Sequence, residues 1–188
     1  KGEELPEEDL KRFLLDQGLL TDQSSPVEIR QFYNGYSNLT YLLKTGSREY
    51  VLRRPPFSAP KRGHDMGREF KVLHHLQKVF HKIPEVYAYS EDTEILGAPF
   101  YIMEKVGGII LTEAEARERK IPPEGFRKVA DTWLDTFVDL HQVDYTAAGL
   151  DALGRPEGYV GRQVTNWGKQ YLAAATEEVP AAQTVMKW

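Results

Sequence analysis

Hydrophobic positions follow two rhythms along this chain. Between Val27 and Arg54, short runs with period-two alternation read as strands: Val27–Tyr33, Leu39–Thr45 and Arg48–Arg54. Asn34-Gly35-Tyr36-Ser37-Asn38 joins the first pair, and Gly46-Ser47 fits a tight hairpin turn between the second pair. Pro55-Pro56 stops the third strand, because proline has no N–H for the ladder. Val86–Tyr89 and Phe100–Met103 add two more strands, linked through Glu91-Asp92-Thr93 and Gly97. Elsewhere the spacing is helical. Leu10, Phe13 and Leu14 share a face over 7–17, with Pro6 at the start and Gly18 at the end. Met66, Phe70, Leu73, Leu76 and Phe80 do the same on a helix predicted to run to Phe80, with Asp65 as its cap.

Gly107-Gly108 breaks the strand pattern, and the chain then turns helical. Pro123 opens a long helix in which Phe126, Val129, Ala130, Trp133, Phe137 and Leu140 recur at helical spacing. Val160, Val164, Trp167 and Tyr171 repeat that spacing, and a short helix is predicted from Pro180. The pattern predicts an α+β chain in three parts. Residues 1–26 form a helix and a connector, 27–106 an antiparallel sheet lobe with one inserted helix, and 107–188 the start of a helical lobe.

Composition narrows the function classes. A chain of 188 residues, 41% hydrophobic and 28% charged, can bury a substantial core. A net charge of −4 supplies no basic face for nucleic acid. The absence of cysteine excludes disulfides, thiol nucleophiles and thiolate metal sites, and fits a reducing cytoplasmic setting. No apolar run approaches the roughly 20 residues that cross a bilayer, so no membrane association is expected. The acidic first residues show no signal-peptide pattern, and the missing initial Met fits a processed or excised piece.

Candidate chemistry concentrates in the sheet lobe. In Tyr50-Val51-Leu52-Arg53-Arg54, alternation puts Val51 and Arg53 on one face. A small apolar residue there can lie against a purine, while the guanidinium two positions on forks onto phosphate oxygens. The same arginine also suits a solvent-facing strand end. Glu69, on the helix that follows, can orient Arg53, or can pair with Arg68 on an exposed face. In the first turn, Gly35 permits close approach of the Tyr36 backbone, and Ser37 and Asn38 can donate to phosphate; an ordinary hairpin uses the same residues. In Met103-Glu104-Lys105-Val106, an extended connector leaves the Glu104 carbonyl and the Val106 N–H for adenine, or is simply an edge strand before a turn.

The order of these pieces is more specific than any one of them. From Val27 onward the chain resembles the aminoglycoside phosphotransferase/choline kinase family, which has a protein-kinase-like fold. Tyr50 to Pro56, Arg68-Glu69-Phe70-Lys71-Val72-Leu73 and Phe100 to Glu104 look most like kinase-like modules associated with acyl-CoA dehydrogenases. So do Leu140 to Asp144, Leu153 to Tyr159 and Arg162 to Trp167. The resemblance implies an ATP- and Mg²⁺-dependent phosphotransferase acting on a small-molecule hydroxyl: aminoglycoside-like, choline-like or a hydroxyacyl-CoA. It places Arg53 where most relatives carry lysine, with Glu69 as its partner.

The family's His-Gly-Asp catalytic loop and its later Asp metal motif do not occur in the sequence, so no catalytic or metal-binding residue is assigned. His141-Gln142-Val143-Asp144 is a faint echo at a helix end, His64-Asp65 is a capping segment, and His74, His75 and His81 lack ligand companions. The resemblance therefore implies a chain that stops before its catalytic loop and is inactive as it stands. Uncovered helical faces in such a piece favour self-association. A non-catalytic nucleotide- or protein-binding module, or an unrelated α+β domain with surface Arg53 and Glu69, are the competing readings.

Overall fold

Residues 4–33, 37–56 and 65–187 are described by a computed structural model. The alternating runs become β1 (Val27–Phe32), β2 (Leu39–Thr45), β3 (Arg48–Arg54), β4 (Val86–Ser90) and β5 (Phe100–Glu104). They form one antiparallel sheet in the order β1-β2-β3-β5-β4. The helices are α1 (Glu7–Asp16), α2 (Met66–Leu76), α3 (Thr93–Leu96), α4 (Glu113–Glu118), α5 (Pro123–His141), α6 (Tyr159–Ala174) and α7 (Pro180–Lys187). The fold is the expected mixed α+β one, with an antiparallel sheet lobe followed by helices.

Alternation gives the sheet two unlike faces. One presents Tyr41, Leu43, Tyr50, Leu52, Phe100 and Ile102, and α1 covers it with Leu10, Phe13 and Leu14. Leu10 and Leu14 are fully buried, which stabilises by about 1.5–3 kcal/mol for each such side chain. The Phe13 ring meets Phe100 edge-on at 4.9 Å. Gly18 adopts φ +68, a left-handed conformation that lets the chain leave α1. The opposite face carries Val51, Arg53, Tyr101 and Met103, with α2 packed over it through Met66, Phe70 and Leu73.

Arg54 belongs to the α1 side of the sheet and is fully buried. Its Nη1 donates to the Leu96 carbonyl at 2.6 Å, and its Nε to the Pro55 carbonyl at 3.1 Å. The two adjacent arginines of β3 thus serve opposite faces.

Three local departures from the sequence reading have physical causes. First, α2 ends at Leu76 rather than Phe80. Lys78 and Val79 donate to carbonyls three residues back, so the last turn tightens, although Phe80 is still buried. Second, the link between β4 and β5 contains α3, which Asp92 caps by accepting from the Glu94 N–H and Gly97 ends at φ +75. Third, β4 has a bulge between Val86 and Ala88, which puts these two residues on opposite faces despite their even spacing.

The chain divides into two compact units, 1–149 and 150–188. The first contains the sheet and α1 to α5. The second contains α6 and α7, whose Val164, Trp167, Tyr171, Ala182, Val185 and Met186 line one apolar groove. Along α5, Phe126, Trp133 and Phe137 are exposed, as are Val160, Val164 and Trp167 on α6. Among the described residues no helix is long and apolar enough to cross a membrane.

Candidate functional site

Arg53 and Glu69 meet. The helix that follows β3 begins with Asp65 as a working cap, its side chain accepting from the Arg68 N–H at 2.9 Å. That start sets Glu69 in the first turn of α2, over the strand face that carries Arg53. The Arg53 Nη2 lies 3.5 Å from Glu69 Oε2, and both side chains are about one third exposed (32% and 35%). Glu69 has two further partners. Tyr101 donates its hydroxyl to Oε2 at 3.0 Å, and Asn38 donates Nδ2 to Oε1 at 3.0 Å. Both oxygens of the carboxylate are therefore pinned, while Arg53 touches it only at ion-pair distance.

Strand register explains the convergence. Arg53 stands opposite Thr40 on β2 and opposite Tyr101 on β5. Residues directly opposite one another share a face, so Tyr101 reaches Glu69 from the strand beside Arg53. Tyr101 is 2% exposed. Burial pushes its hydroxyl ionisation up, the Arg53 charge pulls it partly back, and the neighbouring Glu69 pushes it up again. The hydroxyl is thus protonated and available as a donor. Tyr101 was not among the sequence candidates, because its position depends on β3 lying beside β5, a non-sequential pairing. Alternation does group it with Met103, and that was the one signal available.

Other candidates fall as follows. Gly35 and Tyr36 lie outside the described residues. Ser37 is exposed at the end of the turn. Asn38 is 8% exposed, and its amide is directed at Glu69. Val51 is 8% exposed and stands opposite Met103, which packs against the cluster of Met66, Val86 and Tyr101. The Glu104 N–H donates to the Glu85 carbonyl at 2.7 Å, and its carboxylate accepts from the Glu85 N–H at 3.2 Å. Val106 is 60% exposed beyond the end of β5, and the glycines after it meet no neighbour within 4 Å of a would-be Cβ.

His74, His75 and His141 make structural contacts. His74 stacks on Phe70 at 5.6 Å, and the His75 Nδ1 lies 3.0 Å from the Ala148 carbonyl. His141 Nδ1 sits 2.8 Å from the Phe137 carbonyl one turn back, and Asp144 accepts from the N–H groups of Thr146 and Ala147. The His141–Asp144 segment is thus a helix end followed by a turn. His64 lies outside the described residues.

Comparison with known proteins gives the family and the fold. A model of the phosphotransferase enzyme family (APH) matches residues 28–188. The chain belongs to the phosphotransferase enzyme family. Among its relatives is acyl-CoA dehydrogenase family member 10 of Mus musculus, 34% identical over 187 residues; the match covers 98% of this chain and 17% of that protein. Another is acyl-CoA dehydrogenase family member 11 of Rattus norvegicus, 35% identical, with 91% of this chain and 22% of that protein covered. A crystal structure of a protein assigned as an aminoglycoside phosphotransferase from Ralstonia eutropha JMP134 superposes with a TM-score of 0.71 at 30% identity. That match covers 98% of this chain and 53% of that one. The fold is therefore the kinase-like one of this family, and the relatives are those of the acyl-CoA dehydrogenase branch. The chain spans about a fifth of the length of these curated relatives.

Nucleotide phosphates are what this family's fold implies, and Arg53 fits them. An arginine carries five N–H donors. Among the described residues, Arg53 has one carboxylate contact, at 3.5 Å, and its side chain is 32% exposed. Phosphate oxygens would take the guanidinium N–H groups on that exposed side. Magnesium is different. Among the described residues no three histidines, aspartates or glutamates converge, so no metal-dependent step is derived from them.

Proposed function

We propose that these residues carry the nucleotide-binding lobe of an ATP-dependent phosphotransferase that acts on a hydroxyl of a small molecule. The observation that carries this reading is Arg53, set on the sheet face beneath α2, held beside a pinned carboxylate and a third exposed, with a single ion-pair contact among the described residues. An ion pair this exposed adds only about 0–1 kcal/mol of stability. The pair itself therefore adds little stability, and the bonds from Tyr101 and Asn38 hold the carboxylate beside Arg53.

In this reading ATP lies with its purine along Val51 and Met103, its amine and ring nitrogen at the Glu104 carbonyl and the Val106 N–H, and its phosphates at Arg53. The turn residues Gly35, Tyr36, Ser37 and Asn38 flank the phosphates. ATP would supply the transferable phosphoryl group, and this chain's residues would bind and orient it. Since the 188 residues contain no His-Gly-Asp motif, they bind nucleotide without turnover. The acceptor belongs to the aminoglycoside-like, choline-like or hydroxyacyl class, and the acyl-CoA dehydrogenase relatives favour a hydroxyacyl thioester. A cytoplasmic setting fits a chain without cysteine.

Calorimetric titration of the full-length protein with ATP and with adenosine tests this. Arg53→Ala is expected to weaken ATP binding by about tenfold or more, the equivalent of one charge-assisted contact, and to leave adenosine unchanged. Equal affinity of the unmodified protein for ATP and adenosine, or an Arg53→Ala protein that binds ATP normally, overturns the reading.

A further inference from the structure

We infer that Tyr101 is a positioning residue for the phosphate-binding arginine, acting through Glu69. This rests on the nucleotide-binding reading of Arg53 and assigns a role to a residue outside it.

Glu69 has three neighbours from three separate segments: Asn38 just ahead of β2, Arg53 on β3 and Tyr101 on β5. Each contributes differently. Arg53 lies at 3.5 Å, too long for a normal N–H···O bond, and its side chain is 32% exposed. Left to itself, a pair of this kind samples many geometries. Tyr101 does not. The residue is 2% exposed on β5, clustered with Met66 of α2 and Val86, with the Phe70 ring at 6.4 Å. The ring fixes where the hydroxyl sits, and the hydroxyl fixes Oε2, the oxygen that faces Arg53. Asn38, 8% exposed, fixes Oε1 from the turn side. The carboxylate is thus set by two buried donors and offered to one partly exposed cation.

The consequence concerns how the arginine is aimed. A carboxylate that already accepts from Tyr101 and Asn38 has less lone-pair capacity for a tight fork with Arg53. The guanidinium is steered toward Glu69 without being consumed by it, so its other donors stay available for phosphate oxygens. Remove the tyrosine hydroxyl, and Oε2 is free to draw Arg53 into a closer pair. The cost falls on the phosphates and not on the base, because Val51 and Met103 do not depend on this hydroxyl.

Tyr101→Phe removes the donor and keeps the ring. In the full-length protein it is expected to weaken ATP binding by about tenfold while leaving adenosine binding unchanged, the size of one lost hydrogen bond to a charged group. A merely structural tyrosine would move both ligands together. Glu69→Ala is expected to show the same selective loss, and Tyr101→Phe combined with Glu69→Ala to be no weaker than Glu69→Ala alone, since both act on one contact. Asn38→Ala, which releases the other oxygen, is the second variant should Tyr101→Phe not fold; it too is expected to spare adenosine. If Arg53→Ala shows the ATP-specific loss but Tyr101→Phe and Asn38→Ala do not, the inference fails and the nucleotide reading stands. If the Tyr101 and Glu69 effects simply add, the inference also fails. If Arg53→Ala itself has no ATP-specific effect, both fall.

Discussion

Two tyrosines packed against Phe70 of α2, Tyr89 and Tyr101, hold their protons more tightly than a free tyrosine. Tyr89, whose ring stacks on Phe70 at 5.2 Å, has its hydroxyl pushed up from the ordinary value of 10 to about 12, by burial first and then by its hydrogen bond to Glu91. Tyr101 is raised too, again chiefly by burial. The folded protein therefore holds these protons to higher pH than the unfolded chain does. Their stabilising contribution is complete below about pH 10 and declines as pH climbs from 10 toward 12. Urea unfolding at stepped alkaline pH should show that decline, and Tyr89→Phe should flatten it; an unchanged slope would mean that Tyr89 ionises as in the unfolded chain. At this scale the sequence was partly legible. The Arg53 and Glu69 pair followed from strand alternation and from a helix placed after the strand. Tyr101 did not, because the β3–β5 pairing is a long-range contact. The Asn38 amide reads from sequence as a donor for phosphate, and in the structure it also donates to Glu69.

Elements were legible wherever a period ran long enough to be counted. The five strands and the helices α1, α2, α5 and α6 carry repeated apolar positions, and each formed. The four residues of α3 span little more than one turn and carry no periodic signal, so only Asp92 and Gly97 hinted at them. The β4 bulge is invisible in principle to an alternation argument, since it is a one-residue break in that alternation. A consequence for stability concerns α1, which precedes the region matched by the family model yet supplies buried residues to the sheet core. Leu14 is fully buried there, so Leu14→Ala is expected to destabilise by about 2–5 kcal/mol. Urea denaturation followed by far-UV circular dichroism measures it. A loss under about 0.5 kcal/mol, the range of surface changes, would mean α1 is not part of the core.

At the scale of the whole chain, two rhythms of hydrophobic residues account for the sheet lobe and for the helices that follow. The family match and the 0.71 TM-score neighbour agree with that architecture. The face that matters is the one α1 does not cover. There α2 leaves Arg53 a third exposed, whereas its neighbour Arg54 is sealed against α3 by the Leu96 carbonyl. Two consecutive arginines thus receive opposite fates from a single strand: one joins the architecture, and the other stays a third exposed beside Glu69. The acceptor side was not legible in the same way, since the residues that would recognise it are not marked by any motif in this sequence. The most direct measurement is a crystal structure of the full-length protein with a non-hydrolysable ATP analogue. The account predicts the Arg53 guanidinium within hydrogen-bond reach of a phosphate oxygen, Glu69 still bonded to Tyr101 and Asn38, and the purine against Val51 and Met103. A nucleotide bound elsewhere, or an Arg53 that makes no phosphate contact, would contradict it.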